Sequence, residues 1–230
     1  MYNIIMQVRK EPLVNNHYYH IFSRSIAGYV VFNDSEEFNR IYEIMHLFRY
    51  IDFDYKYSNY KKLEISLQAE IFDRLQRDSK KSIDIIAYCL MPTHIHLILK
   101  QKTNNGISKY MSKLLNSYTR YFNTVHKRTG PLWTGRFKSV LVEKDEQLLH
   151  LTRYIHLNPV SAGLVDEPDD WGFSSHNEYI EDMEEGDKIC NYKKVIDITP
   201  ADYKKFVGDR KDYQKQLSQI KSMLIDHYSG

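Results

Sequence analysis

Along residues 17–23 (HYYHIFS) large and polar side chains alternate with the period of two that a half-buried strand requires, so a strand is predicted there. Asp34, Ser35, Glu36 and Glu37 then offer a cap and first-turn acids for an amphipathic helix running to about residue 49. A polar, turn-like stretch at 55–59 precedes helical spacing over 63–77. From residue 82 the period changes. IDIIAYCL (83–90) is an apolar run of strand length, Met91-Pro92-Thr93 breaks it, and HIHLIL (94–99) reads as a second strand, so the two predict an antiparallel hairpin. Residues 107–126 have the pattern of a long amphipathic helix, ended by Thr129-Gly130-Pro131. Residues 132–142 predict another strand region, bent at Gly135. Asp145 caps a helix reaching about Leu157, because Pro159 pushes Asn158 out of helical geometry or to its edge.

Strand, helix, two strands, helix, strand is an α+β order, and it predicts an antiparallel sheet with helices on one face around a split βαβ core of ferredoxin- or RRM-like type. Residues 1–165 form the expected main domain. Residues 166–230 read as an acidic linker followed by a helical C-terminal extension from about 199. Neither a signal-peptide pattern nor eighteen consecutive apolar residues occurs, so a soluble, cytoplasmic protein without a membrane partner is expected. Cys89 and Cys190 are too few for a disulfide framework or a cysteine-rich zinc site.

A formal net charge of +2 conceals a segregation of charge along the chain. Residues 100–142 hold nine Lys or Arg and no acid, whereas residues 166–187 hold ten Asp or Glu and no Lys or Arg. A long basic stretch without compensating acids points to a polyanion, with nucleic acid the first choice. Tyr110, Tyr118, Tyr121, Phe122, Trp133 and Phe137 are interleaved with the basic residues and are candidates for stacking on unpaired bases, or else core. Lys113, Arg120, Arg136, Lys138 and Trp133 are the candidate DNA contacts.

His94 and His96 flank one apolar residue on a predicted strand, so both imidazoles point to one face about 7 Å apart and can chelate a metal. By itself this pair does not choose among zinc hydrolysis, an oxygenase and phosphoryl chemistry. On the 145–157 helix, Leu148, Thr152 and Ile155 share a stripe, and Tyr154 and Asn158 lie one turn apart beside it. Read alone, that pair is a half-buried tyrosine and a helix-terminal asparagine.

Six phrases occur in order over about 160 residues: YHIFSRS (19–25), AYCLMPTHIHLIL (87–99), YTRYFN (118–123), GPLWTGRFKS (130–139), RYIHLNPVSAGLV (153–165) and W-x-F-S-S-H (171–176). Together they resemble the REP-associated tyrosine transposases, within the single-tyrosine HUH transposases of the IS200-like kind. The resemblance implies that His94 and His96 hold a divalent metal, magnesium or manganese, that Tyr154 is the nucleophile, and that Asn158 completes the metal site. It implies an endonuclease and strand transferase acting on hairpin-forming single-stranded DNA through a 5′-phosphotyrosine, with a homodimer among the assemblies such proteins form. Departures from the pattern are Ser25-Ile26-Ala27 where Arg-Gly-Asn commonly continues, Thr93 where Asn is usual, Thr134 where Gln is common, and His156 in place of an acid. The last of these bears on a contact behind the metal ligands. The rival readings are a DNA-binding protein that no longer cleaves and a metal-dependent phosphodiesterase that uses water.

Overall fold

Alternation along Tyr18–Arg24 (β1), Ile83–Met91 (β2), His94–Gln101 (β3) and Lys138–Val142 (β4) produces one four-stranded sheet in the computed structural model, which describes residues 12–181, 183 and 188–210. The strand order is β2-β3-β1-β4 with every neighbouring pair antiparallel, the order of a split βαβ core. The helices are α1 (Ser35–Leu47), α2 (Tyr57–Tyr60), α3 (Ile65–Asp78), α4 (Gly106–Val125), α5 (Asp145–His156), α6 (Asn158–Ser161), α7 (His176–Ile180) and α8 (Pro200–Gly208). Asp34 caps α1 through a hydrogen bond from Glu37 N, as expected. α5 differs, since Lys144 holds its cap position and Asp145 is its first helical residue. α4 begins at a close approach, where a Cβ on Gly106 would run into the Ser82 carbonyl oxygen.

Register decides what each face carries. His96 pairs with Phe22 and Cys89, and His94 pairs with Arg24 and Met91, so these side chains share one face; Leu97 pairs with Ile21 and Tyr88 on the other. Every residue of β2 is buried, which requires cover on both sides of the sheet. α1 covers the Leu97 face, where Tyr42 meets Tyr88 with ring centroids 5.9 Å apart, and α4 packs beside it. That is the expected helical layer. α5 adds cover on the opposite face, bringing Tyr154 to the histidines and burying Leu148, Thr152 and Ile155.

The chain after residue 165 packs directly on the free edge of β2. Leu90 N donates to Phe173 O, Ser175 N to Tyr88 O and Asn191 N to Ile85 O, and the Trp171 indole N–H reaches Leu90 O at 3.0 Å. An edge strand thereby loses its exposed donors and acceptors. Tyr179, Tyr192 and Tyr203 are buried against it, the first two stacked at 3.7 Å. Of the expected C-terminal helical stretch, α8 is seen, and residues 211–230 lie outside the described residues. Cys89 and Cys190 are buried free thiols. Among the described residues no helix is long and apolar enough to cross a membrane.

Candidate active site

β3 delivers His94 and His96 to one face because they alternate with the buried Ile95 and Leu97. Their ring centroids are 5.0 Å apart and the rings nearly perpendicular. A third imidazole, His20 of β1, stacks on His96 with centroids 5.2 Å apart and places Nε2 3.0 Å from His96 Nδ1. Burial pushes His20 and His94 down to about 4, with Arg24 assisting at His94. His96 is pushed down to about 2, first by burial and then by His94, His20 and Arg24. All three rings are therefore neutral at pH 7, the form in which an imidazole offers a lone pair.

The nitrogens used for these hydrogen bonds determine which remain for a ligand. His94 Nδ1 lies 2.9 Å from Thr93 Oγ1. In the tautomer a metal needs, Nδ1–H of His94 donates to Thr93 and Nδ1–H of His96 donates to His20, leaving an Nε2 lone pair on each. Thr93, a departure from the family pattern, thus supplies the partner that fixes the His94 ring. The donor set fits a divalent cation held by two imidazoles. Among the described residues no group of three or more His, Cys, Asp or Glu is arranged to hold a metal.

α5 supplies Tyr154, whose ring centroid is 6.1 Å from His96 and 6.4 Å from His20, edge-on to both. Tyr154 is 42% exposed. Two of the three tyrosines of the basic helix are buried and committed, Tyr110 donating to Met45 O and Tyr118 to Val31 O, and burial raises both phenols far above their usual range, while Tyr121 is half-buried. Asn158 follows Tyr154 by one turn at the start of α6, and its Nδ2 donates to Tyr154 O (3.1 Å) and Ile155 O (3.4 Å). Both bonds use the amide nitrogen, and Oδ1 is the side chain's acceptor.

The candidate DNA contacts divide. Lys138 of β4 pairs with Phe22, which pairs with His96, so Lys138 stands on the histidine face. Arg136 is exposed shortly before it. Arg120 is exposed on α4, the helix of the opposite face. Lys113 donates to Phe53 O at 2.7 Å and lies over the Phe48 and Phe53 rings, with burial lowering its ammonium. It is engaged within the fold. Trp133 is corrected from a stacking residue to core: it is buried against Phe32 and Tyr118, as are Tyr110, Tyr118 and Phe122, because the apolar stripe of α4 faces the sheet.

His156 is also corrected. Instead of standing behind the metal ligands it turns inward, fully buried, with Nδ1 2.7 Å from the Tyr203 hydroxyl and Nε2 2.8 Å from Ser175 Oγ. Two groups of the site escaped the sequence reading, His20 and Arg24. The alternation His20, Phe22, Arg24 put them on one strand face, but cross-strand register was needed to place that face beside His94 and His96.

Residues 55–158 match the family model described as "Transposase IS200 like", an interval that contains His94, His96, Tyr154 and Asn158. A putative REP-associated tyrosine transposase from Haemophilus influenzae is 29% identical over 40% of this chain. The chain covers 58% of that relative's length. A solved structure of a REP-associated tyrosine transposase bound to a REP hairpin aligns with 81% of this chain and 92% of its own, at 16% identity and a TM-score of 0.45. Over residues 55–158, rather less than half of its length, this chain is similar to the IS200-like transposases.

Proposed function

We propose that this protein is a REP-associated type of transposase that cleaves and rejoins hairpin-containing single-stranded DNA, with Tyr154 as the nucleophile. The observation that carries the reading is the convergence of the Tyr154 ring, at 6.1 Å, on an imidazole pair whose Nδ1 atoms are both occupied. His94 and His96 would hold a divalent ion, magnesium or manganese, through Nε2, and Asn158 would complete the set through Oδ1. When bound, that ion supplies positive charge to the scissile phosphate and assists loss of the phenol proton.

Tyr154 Oη loses its proton and attacks phosphorus, the bond from phosphorus to the 3′ oxygen breaks, the upstream strand leaves as a 3′-hydroxyl once that oxygen takes up a proton, and the downstream strand stays on the tyrosine through its 5′ phosphate. Because one phosphodiester has been exchanged for another, a 3′-hydroxyl can later attack the phosphotyrosine, release the phenol and join a strand. Arg24 and Lys138, on the histidine face, offset phosphate charge during both steps. The 42% exposure of Tyr154 matches a side chain that must meet a polymer.

The test is to incubate the protein and Tyr154→Phe with end-labelled hairpin oligonucleotides and Mn²⁺ and to resolve the products on a denaturing gel. The expected result is label migrating with protein, dependent on metal and absent from the variant, while the variant still binds the oligonucleotide. Cleavage without an adduct would replace this reading with hydrolysis by water. Binding without cleavage across many hairpins would replace it with a DNA-binding protein.

A further inference from the structure

A single strand that reaches a metal pair has unpaired bases to place, yet four of the aromatic side chains of the basic segment are buried. A different ring is exposed on a loop bonded to the turn before His94. The loop joining β1 to α1 is fastened to the turn that precedes His94: Ser25 N donates to Thr93 O at 2.9 Å and Val31 N to Pro92 O at 2.8 Å. Ile26 N donates to Leu132 O, a third anchor. Between the anchors the loop projects outward, with Ala27 in the left-handed region at φ 49°, and it carries Tyr29 at 48% exposure.

Tyr29 is held while exposed. Its ring rests edge-on against the buried Phe122 with centroids 6.0 Å apart. The Arg128 guanidinium lies 5.5 Å from its centroid and is fixed by hydrogen bonds to Asn123 Oδ1 (2.8 Å) and Pro131 O (3.1 Å). Val30 and Val125 are exposed nearby, and residues 120–138 bring Arg120, Lys127, Arg128, Arg136 and Lys138 with no acid among them. Two carboxylates at the start of α1 are directed elsewhere, Asp34 to the helix cap and Glu37 to His126 and Asn33. An ordered aromatic ring with a fixed guanidinium beside it suits a nucleobase with a free face and the phosphate that follows it.

We infer that Tyr29 is the stacking platform for an unpaired nucleobase of the strand entering the His94–His96 site, with Arg128 holding the adjoining phosphate. The inference rests on the DNA-processing reading above and adds a binding residue to it. A paired base has both faces covered, so the platform discriminates in favour of single strands.

The test uses the full chain and the variants Tyr29→Ala, Tyr29→Phe and Tyr29→Trp, titrated into a fluorescein-labelled hairpin with unpaired flanks and into the fully paired duplex. Tyr29→Ala should weaken hairpin binding roughly tenfold, Tyr29→Phe should retain it, and duplex binding should be the same in all. The emission added by Tyr29→Trp should be quenched by the flanked hairpin and not by the duplex, which decides the matter even if the alanine variant folds poorly. Unchanged affinity in Tyr29→Ala, or an unquenched tryptophan, overturns the inference while a Tyr154 adduct leaves the proposed function standing. Equal binding of hairpin and duplex by the unaltered protein overturns the platform whatever the adduct assay shows.

Discussion

Removing one oxygen from Tyr203 should destabilise the whole protein, including the helix that bears Tyr154, although Tyr203 lies 47 positions from its partner His156 in sequence. The Tyr203 hydroxyl lies 2.7 Å from His156 Nδ1, and both residues are fully buried. The other ring nitrogen is held by Ser175 Oγ, which is itself tied to Tyr88 N at 2.9 Å on β2. Tyr203→Phe keeps the ring and leaves His156 Nδ1 without that partner in a place water does not reach, a cost of about 1–3 kcal/mol. His156→Ala leaves a cavity as well and should cost more, about 3 kcal/mol.

The decisive assay is urea unfolding followed in parallel by far-ultraviolet circular dichroism and by tryptophan emission. Trp171 reports on the chain after residue 165, and Trp133 on the bridge to Ser25 at the end of β1. If residues 166–210 unfold with the sheet, Tyr203→Phe lowers one coincident midpoint by roughly 0.5–1 M. A transition that splits between the two probes, or a circular dichroism midpoint that does not move, would refute the reasoning and restore a separable extension.

Acid should weaken the fold in a defined window. Burial depresses His46 to about 3, His176 to about 4 and His156 well below the ordinary value, so the unfolded chain binds more protons than the folded one below pH 6.5. The stability these groups contribute is complete above that pH and lost as pH falls toward 4. Together the three should remove about 4 kcal/mol between pH 7.5 and pH 5.5, and denaturant midpoints that stay flat over that interval would contradict the burial argument. At the candidate metal pair, His20→Ala should weaken Mn²⁺ binding by roughly 10- to 100-fold without abolishing it, because it frees the His96 ring and its tautomer while leaving both ligands; calorimetric titration would show this, and His94→Ala should eliminate the binding heat.

What the sequence disclosed and what it concealed follow from the range of the interactions involved. The β2–β3 hairpin, α4 and α5 are each set by a hydrophobic period within a single element, so their positions could be read directly, as could the shared face of His94 and His96. The period also put Leu148, Thr152 and Ile155 on one stripe, and all three are buried. Trp133 and the tyrosines of α4 were open to two readings because a basic amphipathic helix has the same spacing whether its aromatic stripe meets DNA or a sheet. Only the buried β2 and β3 beneath it decide for the sheet. His20, Arg24 and Tyr29 lay beyond sequence reasoning for a further reason, since each acquires its meaning from a neighbour more than 65 residues away: His20 from His96, Arg24 from His94, and Tyr29 from Arg128.

The inward turn of His156 has the same origin and the largest consequence for the candidate site. On the helix it follows Tyr154 by two residues, roughly 200° around the axis, so a tyrosine directed at the histidine face forces position 156 toward the interior. A buried acid at that position would need a cationic partner, whereas a neutral imidazole needs one donor and one acceptor, which Tyr203 and Ser175 supply. Ser175 belongs to the W-x-F-S-S-H phrase and Tyr203 to α8, so the chain after residue 165 is bonded to the turn of helix that carries the proposed nucleophile. The seat of Tyr154 is thus set from both sides, by the packing of α5 on β2 and β3 and by the C-terminal segment through His156, and a change in either should move the phenol relative to His96.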